Sequence, residues 1–192
     1  MMRMVTLSLT MFVFLANHLL AEQKAMTVCE VLSKLDQYRG RMTKITGVVI
    51  GSRRHGSALY DYDKPKSPCP EVLKQGRKWP SAIYLVWPHE REVEDGPRVF
   101  KPDVEDIEKN LANAKRQMVE RDDLLITATF LGELRSRKSL TIVQSDEGWY
   151  MGDGYGQGGQ NPAQLVIKTV TKAKVIEARS WKRRKFEASE KE

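Results

Sequence analysis

The sequence predicts a mainly β fold, a barrel of short strands that is covered by helices. Two patterns favour it. Several runs of alternating apolar residues are separated by proline- and glycine-rich segments, and one long amphipathic helix lies in the middle of the chain. The chain has 192 residues, of which 41% are apolar and 30% are charged. That composition suits a single domain with a core and excludes a disordered chain.

The residues that follow position 26 predict a short helix. Thr27 and Glu30 have the spacing of a capping box, in which each side chain accepts a hydrogen bond from the other residue's backbone N–H. Gly40 supplies the end of the helix, and Cys29 falls in its first turn. The apolar side chains at helical spacing are Val28, Val31, Leu32 and Leu35.

Five apolar runs predict the barrel strands: residues 41–50, 57–61, 81–87, 124–134 and 163–175. Alternation is clearest in the third run, where Ile83 and Leu85 share one face and Tyr84 lies on the other. A shorter run at residues 139–143 predicts a strand inserted between the fourth and the fifth. The proline-rich residues 62–80 predict an irregular loop.

The long helix begins after Asp103, which is a good N-cap residue. Its apolar stripe consists of Val104, Ile107, Leu111, Ala114 and Met118. Because this helix separates the third strand from the fourth, the order of elements matches the OB-fold, a five-stranded Greek-key barrel, here with an additional N-terminal helix. An α+β sandwich is the alternative fold class.

The first 21 residues have the pattern of a secretory signal peptide. Arg3 is their only charged residue, residues 5–15 form an apolar stretch, and Ala21 precedes a polar segment. An 11-residue stretch is too short to cross about 30 Å of hydrocarbon as a helix, and no later segment is apolar enough. We therefore expect export to the periplasm or the exterior, with a leader at residues 1–21, one domain at residues 22–178 and no transmembrane segment after cleavage.

Two cysteines remain beyond the predicted leader, Cys29 and Cys69. An even number of cysteines in an exported protein favours a structural disulfide. In the chain-entropy description, closing a loop of this length stabilises the fold by about 4 kcal/mol. A metal pair or a catalytic thiol is the alternative, but the chain has neither a C-x-x-C motif nor a close Cys–His spacing.

Positive charge is concentrated at the C-terminus. Of the formal net charge of +7, Arg3 contributes one and residues 172–192 contribute four, so residues 22–171 carry only +2. We expect residues 179–192 to be a basic, disordered tail. A candidate contact for an anionic surface or a polyanion is its basic run, Lys182, Arg183, Arg184 and Lys185.

The catalytic and cofactor motifs that we considered are absent from the sequence. Residues 154–159 match G-x-G-x-x-G formally, but a β-rich run follows them, whereas a dinucleotide site requires a helix there. The nucleophile elbow and the zinc-binding H-E-x-x-H helix are both missing. We predict no cofactor, no metal and no catalytic residue. The alternative is a small-barrel hydrolase or nuclease, which would require Asp61, Asp63 and His55 to cluster.

Two predicted loops carry the candidate ligand-binding residues. They are the turn between the first two strands and the glycine-rich loop before the last strand. In OB-folds these connections and the face of strands two and three bind oligonucleotides or oligosaccharides. Cationic and aromatic side chains suit stacking on bases or sugars, although they can also simply close the mouth of the barrel. The candidates are Arg53, Arg54 and His55 in the turn, Tyr84 on the third strand, and Trp149, Tyr150 and Tyr155 in the glycine-rich loop.

Short motifs in the chain resemble a group of uncharacterised exported bacterial proteins. The motifs are TVCEVL at residues 27–32, Cys69-Pro70, GYG at residues 154–156 and PAQLVI at residues 162–167. The resemblance covers most of residues 27–170 and implies an OB-like barrel in which the loop cysteine pairs with the first helix. It implies no activity and no catalytic residue. Members often have His-Leu-Gly where this chain has Gln157-Gly158-Gly159.

The sequence therefore predicts an exported, disulfide-stabilised OB-like domain that acts as a non-enzymatic binding or interaction module of unknown ligand. The alternative is a binder of a polyanion or nucleic acid through Arg53, Arg54 and the basic tail. Such a binder would lose affinity steeply as salt is raised.

Overall fold

Five strands close into a barrel, and a helix lies between the third and the fourth of them. The computed structural model describes residues 24–52, 56–61, 72–74, 77–79, 81–90, 93–119, 124–139, 142–144, 150–156 and 159–178. The helices are α1 (Val28–Ser33), α2 (Leu35–Tyr38) and α3 (Val104–Val119). The strands are β1 (Met26–Thr27), β2 (Arg41–Ser52), β3 (Gly56–Tyr60), β4 (Val72–Lys74), β5 (Arg77–Trp79), β6 (Ala82–Val86), β7 (Leu124–Arg135), β8 (Ile142–Gln144), β9 (Tyr150–Gly152) and β10 (Gln164–Glu177).

The barrel strands follow the order β2, β3, β6, β10 and β7, and the pairing of β7 with β2 closes the circle. β6 and β10 are parallel, and the other four pairings are antiparallel. With α3 between β6 and β7, this is the arrangement of an OB-fold. The predicted mainly β barrel with helices is confirmed, and the observed fold is not the alternative α+β sandwich.

The last strand, β10, bends and pairs with two neighbouring strands. β10 pairs with β6 only at its start, over Gln164–Val166, and with β7 along its whole length. Its pairing with β7 shifts register after Ile167 and again after Thr171, where Lys172 has a φ of 53°. Such bulges increase the local twist and bend of a strand, which allows a long strand to follow the curved wall of the barrel.

The core lies inside the barrel and under α3. Its largest fully buried apolar side chains come from all five barrel strands and include Ile45, Leu59, Ile83, Leu85, Phe130, Leu165 and Ile167. On α3, Ile107, Leu111 and Ala114 are buried as the apolar stripe predicts, whereas Val104 is 46% exposed. Val104 is the first residue of the helix, where the chain enters from solvent.

The N-terminal helix begins as predicted and is broken in the middle. The Thr27 side chain accepts a hydrogen bond from Glu30 N at 3.1 Å, and the Glu30 carboxylate accepts one from Thr27 N at 2.7 Å, so the capping box is confirmed. Lys34 leaves the helical conformation, with a φ of −129° and a ψ of 34°, and divides the predicted helix into α1 and α2. Cys29 lies in the first turn and is buried.

Two short hairpins stand outside the barrel. β4 pairs with β5 inside residues 62–80, where the sequence predicts an irregular loop, so that prediction is wrong for this part. Only two residues separate these strands, which is the connection length of a tight hairpin. β8 pairs with β9 and forms the predicted insertion before the last barrel strand, with bounds that begin three residues later than predicted.

Several predictions concern residues outside the described ranges. These are the signal peptide at residues 1–21 and the basic tail at residues 179–192, with its run from Lys182 to Lys185. Cys69 is also outside, so the predicted disulfide stays a prediction. None of the described helices is long and apolar enough to cross a membrane.

Candidate functional site

Tyr84 lies on the outer face of the barrel, in the middle of β6. It is paired with Ala58 on β3 and with Gln164 on β10, and Gln164 is paired in turn with Arg135 on β7. Cross-strand partners point to the same face of a sheet. The side chains of Tyr84, Gln164 and Arg135 therefore form a row across three strands, on the face opposite to the core.

The start of β3 and the glycine-rich loop meet at the ring of Tyr84. Gly56 is the first residue of β3, and Gly156 lies in the glycine-rich loop before β10. A Cβ atom at Gly56 would lie 2.6 Å from Tyr84 Oη, and one at Gly156 would lie 2.5 Å from Tyr84 Cδ2. Their φ angles of 73° and 75° also favour glycine. Glycine thus lets both backbones approach one half-buried ring, and we name Tyr84, Gly56 and Gly156 the Tyr84 site.

Nearby acidic side chains raise the pKa of the Tyr84 hydroxyl. Burial raises the pKa of Tyr84, and the negative charges of Glu90 and Glu94 raise this pKa further. A carboxylate near a phenol disfavours the phenolate because the two charges repel each other. The same carboxylates would repel an anionic ligand at the described part of the Tyr84 site.

The segment between β6 and α3 crosses the other two members of the row. Gln164 Nε2 donates a hydrogen bond to the Glu94 carbonyl at 2.6 Å. Arg135 Nη1 donates to the carbonyls of Glu94 and Gly96, at 3.1 and 2.5 Å. Its Nη2 donates to the Pro97 carbonyl at 2.6 Å. Arg135 is only 7% exposed and Gln164 only 1%, so these loop carbonyls satisfy polar groups that would otherwise be buried without partners.

Arg137 and Tyr155 hold the carboxylate of Asp95, in the same segment. Arg137 Nε lies 3.0 and 3.1 Å from the two carboxylate oxygens, and Nη2 lies 2.9 Å from Oδ1. The Tyr155 hydroxyl donates to Oδ2 at 2.5 Å. The Arg137 guanidinium also lies 5.0 Å from the centre of the Tyr155 ring. This Asp95–Arg137–Tyr155 cluster connects the segment after β6 to the glycine-rich loop.

Within this cluster, the charged forms of Asp95 and Arg137 stabilise each other. Burial raises the pKa of Asp95, but hydrogen bonds from Arg137 and Tyr155 outweigh burial and lower the pKa below its ordinary value. The hydrogen bond to Asp95 raises the pKa of Arg137. Burial, followed by the hydrogen bond to Asp95, raises the pKa of Tyr155 far above its usual range. At neutral pH the cluster thus holds a carboxylate, a guanidinium and a neutral phenol, and none of them is poised to exchange a proton.

A pocket of about 310 Å³ adjoins this cluster. Two basic side chains, Arg39 and Arg135, and two acidic side chains, Asp95 and Glu133, line it, so its formal charge is balanced. The other residues around it are Gly40, Gly96, Pro97, Val99, Ser136 and Tyr155. Because Tyr155 lines the pocket and its neighbour Gly156 contacts Tyr84, the pocket and the Tyr84 site lie side by side.

No family model, curated protein or solved structure matches the chain. Among the described residues, no group of three or more His, Cys, Asp and Glu side chains could hold a metal ion. Asp61 is the described member of the predicted hydrolase cluster, since Asp63 and His55 lie outside the described residues. Its Oδ2 accepts a hydrogen bond from Cys29 N at 2.9 Å, which attaches the end of β3 to the first turn of α1.

The structure locates three of the seven predicted ligand-binding residues. Tyr84 lies where the start of β3 meets the glycine-rich loop, and Tyr155 is fully buried while lining the pocket. Tyr150 is in β9, and nothing is described of its side chain. Four candidates lie outside the described residues: Arg53, Arg54, His55 and Trp149.

Sequence reasoning missed the residues that hold the loops together. Arg135, Arg137 and Asp95 lie outside every strand, helix and candidate site that the sequence predicts. Asp95 followed by Gly96 and a proline is typical of a tight turn, and the planar guanidinium of arginine is suited to hydrogen bonds with carboxylates. These signals suggest that each residue has a partner, but they do not say which one.

Proposed function

We propose that this chain is an exported binding module without enzymatic activity and that its ligand contacts the Tyr84 site. The observation that carries the proposal is the approach of Gly56 and Gly156 to one half-buried tyrosine. Gly156 lies in one of the two connections and Gly56 is the first residue of β3, directly after the other connection; in OB-folds these two connections and the outer face of β3 and β6 form the binding surface. A ligand on this surface would contact both loops at once.

The contacts of Tyr155 and Gly156, in the glycine-rich loop, support a binding role. Tyr155 is fully buried, and its hydroxyl is attached to Asp95 across 60 residues of sequence. Gly156 N also donates to the Glu94 carboxylate at 3.3 Å. A loop that is ordered before the ligand arrives loses less conformational entropy on binding.

The absence of a poised acid–base group among the described site residues favours binding over catalysis. The phenol of Tyr155 and the carboxylate of Asp95 satisfy each other. Asp61 is occupied with the backbone of Cys29. The described part of the chain therefore supports a non-enzymatic module better than the hydrolase alternative.

Export and the disulfide are part of the proposal. Cys29 is 5% exposed, and its backbone N–H is bonded to Asp61, the residue at which the chain enters the segment that contains Cys69. Seven residues lie between Asp61 and Cys69, and an extended chain over these eight residue-to-residue steps reaches about 26–29 Å. Cys69 can therefore return to Cys29 without moving the barrel. A disulfide between them would attach this segment to α1, which agrees with an oxidising, extracytoplasmic location.

The polyanion alternative receives less support from the described residues. Arg135 and Arg137 are occupied by loop carbonyls, Glu133 and Asp95. Glu90 and Glu94 add negative charge near Tyr84. This alternative therefore depends on Arg53, Arg54 and the basic tail, which lie outside the described ranges.

The test is a binding titration of the ¹⁵N-labelled chain from residue 22 with three probes: a single-stranded oligothymidylate, a heparin oligosaccharide and a neutral cello-oligosaccharide. We expect at least one probe to shift the amide signals of Gly56 and Gly156. Tyr84→Ala should weaken that binding about tenfold or more, which is about 1.4 kcal/mol. Tyr38→Ala, a half-buried tyrosine on α2, is the matched control and should bind like the unmodified chain.

Two results would contradict the proposal. One is that none of the three probes binds. The other is that the bound probe shifts signals away from the Tyr84 site while Tyr84→Ala and Tyr38→Ala bind equally well. Circular dichroism of both variants should show the unmodified β signal, so that a loss of binding reports the site and not the fold.

A further inference from the structure

The pocket beside the Tyr84 site points to the chemical class of the ligand. We propose that it holds one ring of a neutral, hydroxyl-rich ligand, which is to say a sugar unit of an uncharged oligosaccharide. This inference rests on the proposed function, because the rest of the oligosaccharide would lie on the Tyr84 site. A volume of about 310 Å³ is at the lower end of the range for ligand pockets, which suits a single ring.

Charge balance in the pocket favours a neutral ligand over an ion. Glu133 neutralises Arg135 at 2.8 Å, and the two side chains are only 13% and 8% exposed. Asp36 pairs with Arg39, and Arg137 pairs with Asp95. An anionic ligand would lie against Glu133 and Asp95, whereas a cationic one would lie against Arg39 and Arg135. Each would face a like charge in a partly desolvated site, which is costly.

The hydrogen-bonding groups left open in the pocket match hydroxyls. Glu133 Oε2 accepts from Arg135, while Oε1 has no hydrogen bond to any described residue. Arg39 donates through Nε to Ser136 and through Nη2 to Asp36, so that within the described ranges Nη1 is open. The open carboxylate oxygen needs a donor, and the open guanidinium nitrogen needs an acceptor. A hydroxyl group is both at once, and adjacent hydroxyls on one ring can serve the two groups together.

The pocket lies beside the Tyr84 site and therefore extends the proposed binding surface beyond it. Tyr155 forms part of the pocket wall, and the next residue, Gly156, contacts Tyr84. A chain of sugar rings with one ring in the pocket would therefore pass over the glycine-rich loop to Tyr84. Pro97 and the 74% exposed Val99 give the pocket an apolar rim, which suits the C–H faces of such rings.

The experiment compares neutral with charged probes on the same full-length mature chain. The neutral probes are malto-, cello- and chito-hexasaccharides, and the charged probes are a heparin hexasaccharide and an oligothymidylate. We expect one neutral hexasaccharide to shift the amide signals of Gly40, Gly96 and Ser136 as well as those of the Tyr84 site. Its affinity should stay the same between about 50 and 200 mM salt, because no counterions are released.

Two variants test the pocket directly. Arg39→Ala should weaken the neutral hexasaccharide about tenfold, since it leaves a ligand hydroxyl unpaired. Glu133→Gln should weaken it as well, since a neutral amide replaces the charged acceptor and forms a weaker hydrogen bond with the hydroxyl. Arg41→Ala is the matched control for the first, because Arg41 is exposed, is two residues away and does not line the pocket. If Glu133→Gln fails to fold, Arg39→Ala still tests the pocket, because the Arg39 side chain is partly exposed and forms an exposed ion pair.

The outcomes separate this inference from the proposed function. Binding of only a charged probe, at the Tyr84 site and with a steep salt dependence, would overturn the inference and leave the binding function standing. The inference also fails if a neutral hexasaccharide binds but Arg39→Ala and Arg41→Ala have equal affinity. If none of the five probes binds, both proposals are wrong.

Discussion

Arg137 and Asp95 are 42 residues apart in sequence, and in the structure the guanidinium of one spans both carboxylate oxygens of the other. This pair joins the segment after β6 to the end of β7. Tyr155 adds a third attachment through its hydroxyl and extends the connection to the glycine-rich loop. These side chains therefore hold the segments that adjoin the Tyr84 site, in addition to the isolated backbone bridge between Tyr155 and Asn161.

The first prediction concerns the stability that this pair provides. Asp95→Asn removes the negative charge of the carboxylate that accepts three hydrogen bonds from Arg137 and one from Tyr155. We expect the free energy of unfolding in urea to fall by about 1 kcal/mol, a modest value because the side chains are one-third exposed. Asp36→Asn breaks an exposed ion pair on α2 and should cost less. Equal losses in the two variants would contradict a special role for Asp95.

The second prediction is a pH dependence of the same pair. The pKa of folded Asp95 lies below its ordinary value of 3.8, so its carboxylate stabilises the folded state at all pH values above the unfolded pKa. That contribution is lost as the pH falls through the folded pKa. The difference in unfolding free energy between the unmodified chain and Asp95→Asn should be constant from about pH 7 to 5 and shrink below about pH 4. A difference that grows on acidification would contradict this assignment.

The third prediction tests the close approach of Gly156 to Tyr84. Gly156→Ala adds a methyl group at 2.5 Å from the ring and also strains a positive φ, so we expect a loss of about 2–3 kcal/mol. Gly40→Ala is the control for the strain alone, since its φ is 70° and nothing lies within 4 Å of an added Cβ. It should cost about 1 kcal/mol.

A double-mutant cycle distinguishes the ring contact from backbone strain. If the added methyl collides with the ring, Gly156→Ala should cost less in a Tyr84→Ala background than in the unmodified chain. Gly40→Ala should cost the same in both backgrounds. A cycle without coupling at Gly156 would show that the ring is not the obstacle.

The fourth prediction concerns the proposed disulfide. Cys69→Ser should lower the free energy of unfolding by a few kcal/mol, about 4 in the chain-entropy description. The double variant Cys29→Ser/Cys69→Ser should be close to the single one, because one bond is lost in both. Thermal melting with and without reductant is the direct measurement. Equal melting temperatures would mean that no disulfide stabilises the fold.

Local patterns were sufficient to predict most elements of the barrel. The helix expected from Asp103 to Met118 is observed over Val104–Val119, and the five barrel strands agree with their apolar runs to within a few residues. The Thr27–Glu30 capping box is observed as well, because its hydrogen bonds join residues three positions apart. Such contacts depend on neighbours along the chain, which a single sequence contains in full.

Local patterns failed where the competing forces are not local. The break at Lys34 interrupts a helix whose apolar spacing is continuous, since α2 turns to pack Leu35 against the core. β10 itself has no glycine or proline at its register shifts, because the curvature of the closed barrel requires these bends. The hairpin of β4 and β5 was missed because nearby prolines dominate the composition of its loop.

The order and periodicity of the apolar residues determined by themselves that this chain is a barrel with a helix between its third and fourth strands. They do so because they decide which face each element must bury. Only the tertiary structure decided that Gly56 and Gly156 meet at Tyr84 and that Arg137 pairs with Asp95. The physical reason is that these contacts depend on strand register and barrel closure. Closure brings together residues that are distant in the chain, and no periodic pattern records which of them will touch.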